Sequence, residues 1–306
     1  MRLSILAFCI PALLFCSAHA TDNTKQAGKK PPIKPVSVTV YVAGDIADCR
    51  KKPAEESMAA RTAELIAAGL DKDKTARAIT LGDNTYPVGN PSEFTKCYDP
   101  TWGRFKDKTL PSPGNHDYGM PKALGYYNYF GDLAGPDRRG YYATRLGKWQ
   151  ILSLNSNLDQ PQMQAQLSWL KEELANNKQS CTLAFWHHPV YSSGGHGNNE
   201  NMQAAWKMLA AAKADIVLTS HDHDYERFAP LDANGDRDDK QGIRSFVVGT
   251  GGAKLTPMFL PKGSTEIRDN STHGVLKLSL HDKSYEWEFL PVPGQSFTDK
   301  GKGSCH

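Results

Sequence analysis

Five short apolar runs in this chain each end in a cluster of side chains able to ligate a metal. Val36 to Ala43 ends at Gly44-Asp45, and Ala76 to Leu81 ends at Gly82-Asp83-Asn84-Thr85-Tyr86. Thr109 to Pro113 leads into Gly114-Asn115-His116-Asp117, Thr182 to Trp186 into His187-His188-Pro189, and Asp215 to Thr219 into Ser220-His221-Asp222-His223. An α/β sheet presents its ligands where strands end, so the pattern demands a fold that brings several strand ends to one crevice. Two Asp, one Tyr, one Asn and three His are enough to hold two adjacent metal ions.

The start of the chain is a separate object. Arg2 precedes an apolar stretch from Leu3 to Phe15, and Ala18-His19-Ala20 is a small-x-small cleavage site. Residues 1–20 therefore read as a secretory signal peptide, which the apolar length favours over a retained anchor. Bulky Phe15 argues against lipid attachment at Cys16. Residues 21–35, with Lys25, Lys29, Lys30 and Lys34, read as a flexible leader. Residues 36–292 are expected to form one large α/β domain, followed by a tail over 293–306. The expected location is periplasmic or secreted, with no stable membrane anchor. A formal net charge of +3, with acids and bases interspersed, gives no case for a nucleic-acid partner.

Beyond the leader, Cys49, Cys97, Cys181 and Cys305 remain. An even number in an exported chain favours disulfides. Four cysteines allow three pairings. Cys49 and Cys97 each follow a ligand-bearing loop, which favours joining them and leaves Cys181 for Cys305, although sequence alone does not establish the pairing.

The expected elements alternate early and then turn to hairpins. Helical stretches run from Pro53 to Leu70, from Glu93 to Lys96 under a Ser92 cap, from Gln162 to Ala175 and from Met202 to Ala212. A hairpin is expected to turn at Gly147, with late strands at Ser245 to Val248, Gly274 to Leu280 and Tyr285 to Leu290. This order suggests a layered α/β protein with mixed sheets.

Hard, highly charged metals prefer oxygen donors, whereas imidazole suits iron, zinc and manganese. Asp45, Asp83 and Tyr86 offer anionic oxygen, and the spacing of Asp83 and Tyr86 lets both reach one ion while Asp83 bridges to another. At this point the chain resembles the metallophosphoesterase (calcineurin-like phosphoesterase) superfamily, and within it the purple acid phosphatases. The resemblance extends from Val36 to about Leu290, and the tyrosine of Gly82-Asp83-Asn84-Thr85-Tyr86 is its distinguishing piece.

The resemblance implies a four-layer α/β/β/α sandwich of two mixed β-sheets flanked by helices, with a dinuclear metal site at the strand C-terminal ends. It implies iron(III) on Asp45, Asp83, Tyr86 and His223, with Asp83 bridging to a divalent ion (iron, zinc or manganese) held by Asn115, His187 and His221. His116 and His196 match two histidines that face the substrate phosphate. The implied activity is acid hydrolysis of small-molecule phosphate monoesters by a metal-bound hydroxide. A phosphodiesterase or nucleotide-directed hydrolase shares the same core, and a non-catalytic metal-dependent binding protein is the reading from another class. Ala47 and Ser220 stand where the pattern has glycine, and neither change removes a ligand. His188 is expected to be a bystander. Gly249-Thr250-Gly251-Gly252 reads as a close backbone approach beside the site, Asp232 to Asp238 as a solvated acidic turn, and the aromatic cluster at Tyr126, Tyr127, Tyr129 and Phe130 as a cleft wall or as ordinary packing.

Overall fold

Strand pairing divides the chain into two mixed sheets. The computed structural model describes residues 37–306; the leader readings for 1–20 and 21–35 lie outside the described residues. The first sheet contains β1 (Val38–Ala43), β2 (Arg77–Leu81), β3 (Thr109–Ser112), β11 (Gly274–Leu280), β12 (Ser284–Pro291) and β13 (Lys300–Ser304). Its order is β13-β12-β11-β1-β2-β3. The second contains β4 (Tyr142–Leu146), β5 (Trp149–Ser153), β6 (Cys181–Phe185), β7 (Ile216–Thr219), β8 (Tyr225–Phe228), β9 (Arg244–Val248) and β10 (Thr265–Asp269), in the order β10-β8-β9-β7-β6-β5-β4. Within them β1-β2-β3 and β5-β6-β7-β9 run parallel, so the ligand-bearing loops of each sheet leave on one edge.

Alternation along the second sheet explains the layering. Ile151, Leu183, Phe185, Ile216, Leu218, Phe246 and Val248 join Val42, Ile79, Leu276 and Leu278 of the first sheet in one buried cluster. Their neighbours Leu152, Ala184, Trp186, Val217 and Val247 point the other way, against Met163 and Leu170 of helix Gln160–Ala175 and Trp206 and Leu209 of helix Gln203–Ala211. A period of two with both faces apolar is what a sheet covered on both sides requires. Helix Met58–Lys72 covers the first sheet through Ala59, Ala63, Ile66 and Leu70. The result is the expected four-layer sandwich. Each fully buried large apolar side chain stabilises it by roughly 1.5–3 kcal/mol.

Several boundaries differ from expectation, for local reasons. The helix expected from Pro53 begins at Met58, where Ser57 accepts from the Ala60 N–H; Ala54–Glu56 is a separate single turn. Asn90, rather than Ser92, caps the next helix: it accepts from the Glu93 N–H at 3.0 Å, and the Glu93 carboxylate accepts from the Asn90 N–H at 3.1 Å. This reciprocal pair satisfies two end donors at once, which Ser92 inside the turn could not do. The hairpin does turn at Gly147, whose φ is 59°. The stretch 293–306, read as a tail, adds β13 to the sheet. Cys49 pairs with Cys97 and Cys181 with Cys305, with Cα separations of 5.8 and 5.5 Å. Tyr126, Tyr127 and Phe130 are buried and Tyr129 stacks on Phe94 at 5.0 Å, so this cluster is core packing around the Cys97 turn. The acidic stretch closes on itself: Asp232 Oδ1 accepts from the N–H groups of Asn234 and Asp236 at 2.8 and 3.0 Å. No helix among the described residues is long and apolar enough to cross a membrane.

Candidate metal centre

Five strand ends meet where the two sheets face each other. Asp45 and Asp83 each lie two residues beyond their strands, β1 and β2, and His187 two beyond β6; Asn115 follows β3, and His221 and His223 follow β7. Asp45, Asp83 and His221 have φ values of 58°, 47° and 71°, in the left-handed region that side chains other than glycine rarely adopt. Such strain persists only where its surroundings over-determine it. Here the two Gly-Asp loops are stitched together by the main chain: Asp45 N–H donates to Gly82 O at 3.1 Å and Ile46 N–H to Asp83 O at 2.9 Å. The His221 N–H donates to Asp45 Oδ2 at 2.9 Å. Gly114 is needed for close approach, since a Cβ there would lie 2.1 Å from Asp83 Oδ1.

The seven side chains fall into two groups that share one atom. In the first, Tyr86 OH lies 2.9 Å from Asp45 Oδ1, 3.3 Å from Asp83 Oδ2 and 3.2 Å from His223 Nε2. In the second, His187 Nε2 lies 2.9 Å from Asn115 Oδ1, 3.1 Å from His221 Nδ1 and 3.4 Å from Asp83 Oδ2. Asp83 Oδ2 thus faces both groups, while Oδ1 accepts from the His116 N–H at 2.8 Å. In two of the three histidines the ring nitrogen turned away from the centre is held by a carbonyl. His187 Nδ1 meets Leu81 O at 2.9 Å and His223 Nδ1 meets Lys254 O at 2.7 Å. Carbonyls accept only, so each ring is protonated there and turns an unprotonated Nε2 to the centre whenever it is neutral.

Charge crowding is what cations would relieve. Burial, then the charges of Asp45 and Asp83, push the Tyr86 phenol well above its ordinary value. Burial also raises Asp45, but His223, by charge and hydrogen bond, with His187 and His221 behind it, overcomes that and holds the carboxyl below the usual range. Burial lowers His187, yet the Asp83 charge and hydrogen bond win and raise it to about 9. His223 rises likewise to about 9, with Asp45 outweighing burial. Burial and the neighbouring His187 push His221 down to about 2.

A model of the calcineurin-like phosphoesterase family matches residues 38–225, well over half the chain and every one of the seven positions. The chain belongs to that family. Purple acid phosphatase 18 of Arabidopsis thaliana is 30% identical over 125 residues, covering 39% of this chain and 28% of the relative. Purple acid phosphatase 1 of Ipomoea batatas is 26% identical over 176 residues, covering 50% and 37%. The chain thus spans about a third of the length of these curated relatives. A purple acid phosphatase from yellow lupin (Lupinus luteus) seeds superposes with a TM-score of 0.67 at 20% identity, over 89% of this chain and 54% of the lupin chain, which shows a shared fold.

This member of the calcineurin-like phosphoesterase family carries a donor set that fits a cation pair. Asp45, Asp83 and His187 bring ligand atoms within 4.8 Å of one another, as do His187, His188 and His221. A protonated phenol wedged between two carboxylates is the arrangement that a cation would convert to a phenolate ligand. Ala47 leaves the loop intact, donating to Asn84 O and accepting from the Tyr86 N–H, both at 3.1 Å. Gly249 makes the expected close approach, since a Cβ there would lie 2.8 Å from Asp45 Oδ2.

His116 and His196 flank this centre. His116 Nδ1 lies 2.6 Å from Pro87 O, and its Nε2 is 3.9 Å from Asp83 Oδ2. His196 stacks over His221 with ring centroids 4.3 Å apart. Three residues near the centre drew no role from sequence. Asp222 accepts from the His196 N–H at 2.7 Å, lies 3.1 Å from His196 Nδ1, and is itself held by Ser192 Oγ at 2.5 Å. Ser220 Oγ donates to Leu81 O at 2.7 Å and lies 3.1 Å from His187 Nδ1. His188, expected as a bystander, packs 4.4 Å from the His221 ring and bonds Ser156 at 2.8 Å, so it buttresses the second group. The Asp222 position between two histidines was the available signal for the first; nothing in the sequence marked Ser192 or Ser156.

Proposed function

We propose that this chain is an exported, metal-dependent acid phosphatase of the purple acid phosphatase type, acting on phosphate monoesters. Iron(III) would sit among Asp45, Asp83, Tyr86 and His223, and a divalent iron, zinc or manganese ion among Asp83, Asn115, His187 and His221. The observation that carries this reading is the position of Asp83 Oδ2, within 3.4 Å of both the phenol of one donor group and the imidazole of the other. An oxygen-rich group suits a hard trivalent ion and an imidazole-rich group a divalent one. Such a pair supplies positive charge to phosphate oxygens and makes a coordinated water acidic. The two disulfides suit an oxidising compartment outside the cytosol.

The residues around the centre do the rest. Asp222 fixes the His196 ring through Nδ1, leaving Nε2 to meet a phosphate oxygen or to protonate the departing alcohol. His116, held through Nδ1 by Pro87 O, offers its Nε2 to the same group from the Asp83 side. No side chain needs to attack phosphorus. The test is metal analysis of purified protein, with turnover of an aryl phosphomonoester and the matching diester measured side by side at acid pH. Iron plus a second metal and faster monoester turnover is the expected result. Protein that takes up no metal and cleaves neither ester defeats the reading; faster diester turnover redirects it to a phosphodiesterase.

A further inference from the structure

His188 stands one residue beyond a proposed ligand and is held more firmly than packing requires. Its carbonyl accepts from Trp186 Nε1 at 2.8 Å, and its N–H donates to Ser156 Oγ at 3.2 Å. The same hydroxyl meets its Nδ1 at 2.8 Å. A hydroxyl oxygen can accept twice, so one serine fixes both the backbone and the ring. The other ring nitrogen, Nε2, makes no hydrogen bond among the described residues. His187 and His223 are held in the same way, with an oxygen on Nδ1 and Nε2 left for the centre. A histidine that binds a metal characteristically has its second nitrogen fixed by such an oxygen.

The position of the ring agrees with this. Its centroid lies 4.8 Å from that of His187 and 4.4 Å from that of His221. One ring nitrogen from each of the three comes within 4.8 Å of the others. The commoner reading of a largely buried histidine is ordinary packing, but packing alone pairs both ring nitrogens; it does not leave one bare beside two other imidazoles.

We propose that His188 is a further ligand on the divalent side of the centre, giving through Nε2 a third imidazole beside His187 and His221. The inference rests on reading the centre as that of a metal-dependent hydrolase, and it narrows the ion that this reading leaves open. Three imidazoles favour a borderline ion such as zinc over manganese, which prefers oxygen donors.

The test reads metal binding, not turnover. Metal-free full chain is titrated with zinc and with manganese beside its His188→Phe variant, which keeps a ring against His221 and removes both nitrogens. Zinc affinity is expected to fall roughly 100-fold in the variant, and manganese affinity by less than about tenfold. Ser156→Ala leaves the ring in place but unheld, and should lower zinc affinity roughly tenfold; it serves in place of a His188→Phe protein that fails to fold. In the parent, the His188 Nε2 resonance should shift on zinc binding together with that of His187, a response that packing does not give. Zinc affinity equal in parent and variants, or a His188 Nε2 resonance that bound zinc leaves in place, overturns the assignment while the centre stands. A parent that binds no zinc takes down the centre and the assignment together.

Discussion

The two donor groups of the centre are built in different ways. The Asp45–Tyr86 group is oxygen-rich, and three of its four members come from two neighbouring loops of one sheet, joined by main-chain hydrogen bonds. The His187 group is rich in imidazole and is gathered from β3, β6 and β7, across the gap between the sheets. Its geometry depends on Ser220 and the Leu81 carbonyl, which reach over that gap. One group is thus a local device and the other a product of tertiary assembly. The difference predicts a robust site for a hard ion beside a more exchangeable one.

The comparison can be broken most severely at the shared atom. Asp83→Ala should empty both groups and lower activity by on the order of 10³; a variant that keeps both metals would show that the groups are independent. Tyr86→Phe should act on the oxygen side alone. If Tyr86 holds iron(III) as a phenolate, as proposed, the substitution abolishes the visible absorption of that pair and cuts turnover roughly 100-fold while divalent content persists, checked by optical spectrum and metal analysis. Ser220→Gly should act on the other side, weakening divalent-ion affinity about 10–100-fold with the spectrum retained. Equal loss of both metals in either variant would erase the distinction. The smallest effect concerns the metal-free protein. His187 and His223 are each raised from 6.5 to about 9, so they contribute stability that is complete below 6.5 and is lost as pH climbs through about 9. The Tm of chelated protein should therefore fall between pH 7 and 9, a slope that metal loading flattens, as thermal unfolding with and without chelator would show.

Much of the fold was legible because its signals are local. Apolar runs ending in Gly-Asp (twice), Gly-Asn-His, His-His-Pro and His-x-His marked five strands, and Gly147 marked a hairpin. The convergence of Asp83 with Tyr86 followed from their spacing. What escaped was decided by contacts remote in sequence. β13, a run of alternating Lys and Gly, has no strand signal of its own and exists because β12 and the Cys181–Cys305 bridge hold it. β10 is nearly as polar and forms by pairing with β8. Ser220 looked like a departure from a glycine pattern, and only the approach of Leu81 and His187 turns its hydroxyl into a support. His188 looked idle beside Pro189 until Ser156 and His221 came to meet it.

The left-handed backbone at Asp45 and Asp83 carries one more consequence. Asparagine tolerates that conformation about as well as aspartate does, and the loops are laced by main-chain bonds that no side chain supplies. An Asp-to-Asn exchange at these positions would strip the proposed metal centre of its anionic oxygens while leaving the scaffold's outline in place. A chain changed in this way would keep the shape and lose what the proposed hydrolysis needs, so shape and chemistry are separable at two positions of the same backbone.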